Sequence, residues 1–181
     1  MSIIQQLKVK AGKHYLKKEL QANTRTIKSR GLNEVKQIGI LFLANDRETY
    51  NLVEQYADVF RELKKNVKIV GYIPSRKVSQ EYYQKLDLDI FDWNNTNWYL
   101  SPNRPKLNDF QELELDLLIS LVREECIPLE FVIARSKAAF KVGAFSDSKK
   151  ELFDLMIHST PEEDLKTFMK NIFQYLDMLS S

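Results

Sequence analysis

Apolar positions along this chain switch between the spacing of strands and the spacing of helices. Gln37-Ile38-Gly39-Ile40-Leu41-Phe42-Leu43-Ala44 is apolar on both faces, which places a strand inside a sheet covered by helices on each side. Asn45 with Glu48 then makes a capping box, and Leu52, Val53, Tyr56, Ala57, Phe60 and Leu63 recur at helical spacing up to Lys64-Lys65. Residues 67–73, ended by Pro74, read as a second strand, so this stretch predicts a right-handed βαβ unit.

The pattern weakens over residues 75–106. Ser79 starts a short helix through Tyr82, Tyr83 and Leu86, and residues 88–91 read as a short strand. Turn formers and aromatics then fill residues 94–105, with Trp98 and Tyr99 at the centre, the kind of loop that carries function. Residues 115–121 predict a third strong strand and residues 129–134 a fourth. The seven residues between them, 122–128, are fewer than the dozen or so a parallel crossover needs, so this pair is expected to be antiparallel or joined by a tight turn of helix. Residues 136–143 are short and amphipathic, and residues 153–158 form a last strand. Thr160-Pro161-Glu162-Glu163 combines a cap, a proline at the first helical position and a glutamate at the third, ahead of an apolar face running from Leu165 through Phe168, Ile172 and Leu176 to Leu179.

Before the first strand the chain predicts a helix over about residues 3–20. Ile3, Ile4, Leu7, Ala11 and Tyr15 share one stripe, Lys10, Lys13 and Lys17 another, and Val9, Leu16 and Leu20 form a second apolar stripe interrupted by Gly12. That second stripe implies packing on two sides, or poor order when the helix stands alone. The expected class is therefore α/β: a three-layer sandwich around a mostly parallel or mixed sheet of about five strands, preceded by a basic N-terminal helix. The division is a basic helical arm over residues 1–30 and a single α/β domain over 31–181.

Composition agrees with one core, since 44% of the 181 residues are hydrophobic and 29% charged. No apolar run approaches the roughly 18 to 20 residues of a spanning helix, and the first residues turn polar too soon for a signal peptide, so a cytoplasmic protein is expected. Cys126 is the single cysteine, which rules out an internal disulfide and a cysteine-rich metal site and suits a small core filler.

Charge changes the picture more. The net charge is +2, yet the first thirty residues hold Lys8, Lys10, Lys13, Lys17, Lys18, Arg25, Lys28 and Arg30 against Glu19 alone. Clustered cations release counterions from a phosphate backbone, which points the arm at RNA, a ribonucleoprotein or another acidic partner. An anionic membrane surface fits less well, because the arm lacks Trp and Phe.

Candidate chemistry is sparse. The five glycines include no G-x-G spacing, and the turn after the first strand, Ala44-Asn45-Asp46-Arg47, lacks the glycines a dinucleotide needs. His14, His158 and Cys126 have no metal-ligand spacing, so neither metal nor cofactor is expected. Asp154 and His158 share a strand face but stand roughly 13 Å apart, too far to form a catalytic pair. Asp116 and Asp154 sit where their strands begin, whereas open α/β sheets bind ligands beyond the strand ends, so both are read as structural. The same rule gathers Asn45, Asp46, Ser75, Arg76, Arg123, Ser136, Lys137, His158 and Ser159 at the strand C-termini. Of these Asp46, Arg76, Ser136, Lys137 and His158 are the candidate set for a small anionic ligand, with Lys141 nearby.

Certain stretches carry a likeness: Ile38-Gly39-Ile40-Leu41-Phe42, Val70-Gly71-Tyr72, Asn97-Trp98 with Pro102, Phe110 leading to Asp116-Leu117-Leu118-Ile119, Ser136 with Phe140-Lys141-Val142-Gly143, and Phe153-Asp154-Leu155-Met156-Ile157. With its lysine-rich start, the chain resembles over nearly its whole length a family of bacterial proteins of unknown function. The resemblance implies an α/β domain and supplies no catalytic residues. The leading expectation is a non-enzymatic protein whose basic helix contacts RNA, a ribonucleoprotein or another acidic partner. The alternatives are a small enzyme or ligand-binding domain using the strand-end cleft, and a homodimer formed through the C-terminal helix.

Overall fold

The computed structural model describes residues 3–75, 88–160 and 162–179. Six strands, β1 (Gln37–Leu43), β2 (Asn66–Ile73), β3 (Leu88–Asp92), β4 (Leu117–Ser120), β5 (Phe140–Ala144) and β6 (Leu155–Ile157), form one sheet in the order β3-β2-β1-β4-β5-β6. Every pairing is parallel, including β1 with β4 through Ile38 opposite Leu117 and Ile40 opposite Ile119. The expected α/β sandwich is present with one strand more than expected. The order is that of a doubly wound, Rossmann-like sheet, with its switch point between β1 and β4.

Two apolar layers hold it. On one face α2 (Arg47–Glu62) and α5 (Leu165–Met178) press Val53, Phe60, Phe168 and Ile172 onto Ile38, Ile40 and Ile69. On the other, α3 (Pro105–Glu112) and α4 (Ile127–Arg135) press Phe110, Leu129 and Phe131 onto Leu41, Val70 and Leu118.

The segment expected as a fourth strand is α4, and this correction rearranges everything after it. Its eight residues from Ile127 to Ala134 are all buried, so the run carries no period by which a helix differs from a buried strand. Pro128 in the first turn fits a helix start. A helix that is apolar all round needs cover on both sides. The sheet provides one side, and α1 (Ile3–Ala22) provides the other, through Leu16 with Val9 and Leu20. The short connection after β4 therefore leads into a helix, and the next strand is β5, in the segment read as short and amphipathic.

Helix starts are also displaced from the expected caps. Asp46 caps α2 by accepting from the Thr49 N–H at 2.7 Å, where Asn45 with Glu48 was expected. At α5 Asp164 accepts from the Thr167 N–H at 2.6 Å, in place of the expected Thr160 cap, and the Glu163 N–H donates to the Thr160 carbonyl. The expected helix over residues 79–86 lies outside the described residues.

Candidate nucleic-acid interface

Helix α1 docks by one stripe and faces outward with the rest. Gly12 makes the docking possible: a Cβ there would meet the Tyr99 carbonyl oxygen and the Ile127 Cγ2 at 2.8 Å each. Glu19, the one acid of the arm, holds Arg135 at 2.6 Å, and Arg135 also donates to the Ser101 Oγ at 2.9 Å, so one guanidinium ties α1, α4 and the 96–102 loop together. The other stripe, Ile3, Ile4 and Leu7, stays exposed.

The eight cations of the first thirty residues divide sharply. Arg25 reaches Asp154 at 2.6 Å and donates to the Ala138 and Ala139 carbonyls at 3.1 and 3.3 Å. Arg30 pairs with Asp116. Both aspartates also fix strand starts. Asp116 accepts from the Lys36 and Gln37 N–H groups at 2.8 and 3.0 Å, and Asp154 accepts from the Lys141 N–H at 2.8 Å. Each aspartate's own N–H closes the ring, donating to the carbonyl of Gln37 or Lys141. Leu115-Asp116-Leu117-Leu118-Ile119 and Phe153-Asp154-Leu155-Met156-Ile157 thus use one device twice. Residues 23–36 become a strap across the N-terminal edge of the sheet, begun by Asn23, whose side chain donates to the Ala134 carbonyl at 2.6 Å. Burial alone would raise the Asp116 carboxyl, but the two N–H donors with Arg30 and Lys36 hold it below the usual carboxylate range.

The lysines go elsewhere. Lys13 pairs with Glu125 at 2.5 Å, both exposed, and Lys10, Lys17 and Lys28 are exposed. Lys8 lies 5.5 Å from the centre of the Trp93 ring, and Lys18 lies 5.3 Å from that of Tyr15. Tyr15 meets Tyr99 at 4.3 Å and Trp98 at 6.5 Å between ring centres. Trp98 is 58% exposed and Tyr15 37%. The loop presenting Trp98 and Tyr99 is hydrogen-bonded within itself: the Asn97 carboxamide oxygen accepts from the Tyr99 and Ser101 N–H groups at 3.1 and 3.0 Å, and Leu100 sits at φ 68°. Sequence reading marks both the lysines and the loop aromatics, but it gives no sign that they form one surface.

At the opposite edge, a cleft of about 420 Å³ opens where β1 and β4 diverge. It is floored by Phe42 and Leu121 and rimmed by Asn45, Thr49, Arg123 and Ser159. Three of the residues expected at the strand ends, Asn45, Arg123 and Ser159, are therefore brought together. Asp46 is engaged in capping beside it, His158 is exposed at the end of β6, and Ser75 follows β2 outside the cleft. Ser136 and Lys137 stand at the other edge. Because 129–134 is a helix, they precede β5, with Ser136 fully buried as the α4 cap and Lys137 donating its N–H to the Gln111 carbonyl. Arg76 lies outside the described residues.

Lys141 is buried in β5 away from the cleft, its Nζ donating to the Ile133 carbonyl at 2.6 Å. Burial first, and Arg25 second, lower its ammonium to about 7 against the opposing pull of Asp154. Burial pushes the Cys126 thiol up to about 12, so it is an inert filler. Among the described residues no group of three or more His, Cys, Asp or Glu suits a metal ion, and no helix is long and apolar enough to cross a membrane. The apolar face of α5 is spent on its own sheet, leaving Tyr175, Met178 and Leu179 outward.

These features define a doubly wound α/β protein without a glycine-rich phosphate loop, carrying an additional N-terminal helix over its α4 layer. The chain belongs to a family of unknown function (DUF6913), whose model matches residues 8–179 and so takes in α1 from Lys8 onward. No curated protein and no solved structure matches it.

Proposed function

We propose that this is a non-enzymatic binding protein that takes single-stranded RNA, free or within a cytoplasmic ribonucleoprotein, on the face formed by α1 and the 96–102 loop. The observation that carries the reading is the exposed Trp98 and Tyr15 pair, with Lys18 over the Tyr15 ring and Lys8, on the same helix, over Trp93. Bases stack on exposed aromatic faces without regard to sequence, while lysines track the phosphates. The hydrogen-bonded loop holds Trp98 in place before any ligand arrives, which lowers the ordering cost of binding.

Titration of labelled oligouridylate by fluorescence anisotropy tests this. Trp98→Ala is expected to weaken binding by about 5- to 100-fold, corresponding to the roughly 1–3 kcal/mol of a lost stacking contact. Trp98 is exposed, so circular dichroism should show an unchanged fold. Equal affinity in the variant would contradict the reading. Exposed Ile3, Ile4 and Leu7 beside Lys8 make phosphatidylglycerol vesicles the necessary second arm. Trp98-dependent binding to vesicles but not to RNA would replace RNA with a lipid surface.

A further inference from the structure

We infer that the crevice between the ends of β1 and β4 is a binding site for a small molecule bearing one anionic group, a carboxylate or a phosphate monoester, anchored by Arg123. The crevice exists because the two chains leaving these strands part company. After β1 the chain turns into α2 on one face of the sheet, and after β4 it passes Arg123 into α4 on the other. Its volume of about 420 Å³ falls within the roughly 300–1,000 Å³ of small-ligand pockets, with an apolar floor and a few polar groups at the rim.

Arg123 differs from the other arginines whose partners define the fold. Arg25, Arg30, Arg61, Arg104 and Arg135 each hold a carboxylate of the protein. Arg123 instead donates to the backbone carbonyl of Glu163. The Glu163 carboxylate is turned away from it, accepting from the Ser159 Oγ at 2.6 Å and the Asn171 Nδ2 at 2.9 Å. Asp164 feels the charge of Arg123, but its carboxylate is directed at Thr167, where hydrogen bonds first and that charge last lower its pKa. Among the described residues the guanidinium is thus engaged at one N–H, and Arg123 lines the crevice. That arrangement suits a carboxylate or phosphate.

The opposite rim sets the ligand class. In a dinucleotide site the helix after the first strand offers bare N–H groups to a pyrophosphate. Here the Asp46 carboxylate occupies the Thr49 N–H and Oγ1, at 2.7 and 3.1 Å, and puts negative charge where that phosphate would lie. The cation for the anion is Arg123 on the β4 side, where Glu124 also lines the crevice, and the α2 side offers the neutral hydrogen-bonding groups of Asn45 and Thr49 to the rest of the molecule. The α2 N-terminus is thus closed to the pyrophosphate of a dinucleotide, and a compact molecule with one anionic group fits.

Amide chemical shifts of the full chain, titrated with adenosine monophosphate, inorganic phosphate, pyruvate and neutral ribose, test the assignment. Saturable shifts at Asn45, Thr49, Arg123 and Ser159 are expected with a phosphate or a carboxylate probe and not with ribose. Saturation by the phosphates alone identifies a phosphate group, and by pyruvate alone a carboxylate. Arg123→Ala should weaken that probe about tenfold or more, Arg123→Lys less, and Asn45→Asp should weaken it with Arg123 intact. No saturation by any anion up to about 10 mM, roughly −3 kcal/mol, would overturn the proposal, as would an affinity indifferent to all three substitutions. Trp98→Ala should leave these shifts unchanged, so this site and the RNA face succeed or fail independently.

Discussion

Helix α1 and the strap that follows it look alike in sequence and do opposite work. Both are cationic, and together they read as one adhesive arm. In the fold the strap's arginines turn inward, Arg25 to Asp154 and Arg30 to Asp116, while Lys10, Lys13, Lys17 and Lys18 of α1 stay exposed, and Lys8 and Lys18 lie beside aromatic rings. The division follows side-chain chemistry. A guanidinium carries several donors in a planar fork and satisfies a carboxylate and backbone carbonyls at once, as Arg25 does, whereas a lysine ammonium is a strongly hydrated point charge that stays in water. Net charge in a segment therefore overstates its capacity to bind a partner until the internal pairs are removed.

The largest way to break this comparison is Arg25→Ala. It strands Asp154 near Lys141 and opens the strap, and should lower stability by about 3 kcal/mol in urea unfolding while leaving RNA affinity of the folded protein unchanged. A parallel loss of RNA binding would show that the strap belongs to the adhesive surface after all. Gly12→Leu should come next. Any side chain there strikes the Tyr99 carbonyl and Ile127, so overpacking should cost about 2 kcal/mol and make α1 the first segment cut in limited proteolysis.

The effect of Lys141 is read through pH. Its folded value of about 7 lies below the ordinary 10.5, so between these values the unfolded chain binds the additional proton and stability rises with pH. Lys141→Met should flatten that rise, which is at most about 1.4 kcal/mol per pH unit, in denaturation curves taken from pH 7 to 10. Asp116 has the opposite sign. Its carboxyl is held low, so its contribution is present at neutral pH and disappears as pH falls through the folded value.

Much of the fold was legible because local and long-range signals agreed. Residues 37–73 announce a strand, a helix and a strand, and the apolar face of α5 is plain. The reading failed where burial erased the period. The stretch from Ile127 to Ala134 is apolar all round because α1 covers it, and nothing local in α1 says so. That one error displaced β5 and carried Ser136 and Lys137 to the wrong edge. The strap was illegible for another reason: Arg25 and Asp154 are 129 residues apart, and pairing at that range leaves no local trace. Asn45, Arg123 and Ser159 were placed correctly by the strand-end rule, since it depends on strand direction and not on sequence spacing.

The central claim is that α1 lysines and loop aromatics form an RNA-binding face, and the most direct test is the salt dependence of oligouridylate binding. With three or four lysine contacts, the logarithm of affinity should fall against the logarithm of salt with a slope of about −2 to −3. Lys8→Ala with Lys18→Ala should reduce that slope by about 1.4, while stability changes by less than about 0.5 kcal/mol. No binding at about 50 mM salt, or a slope indifferent to both lysines, would contradict the account.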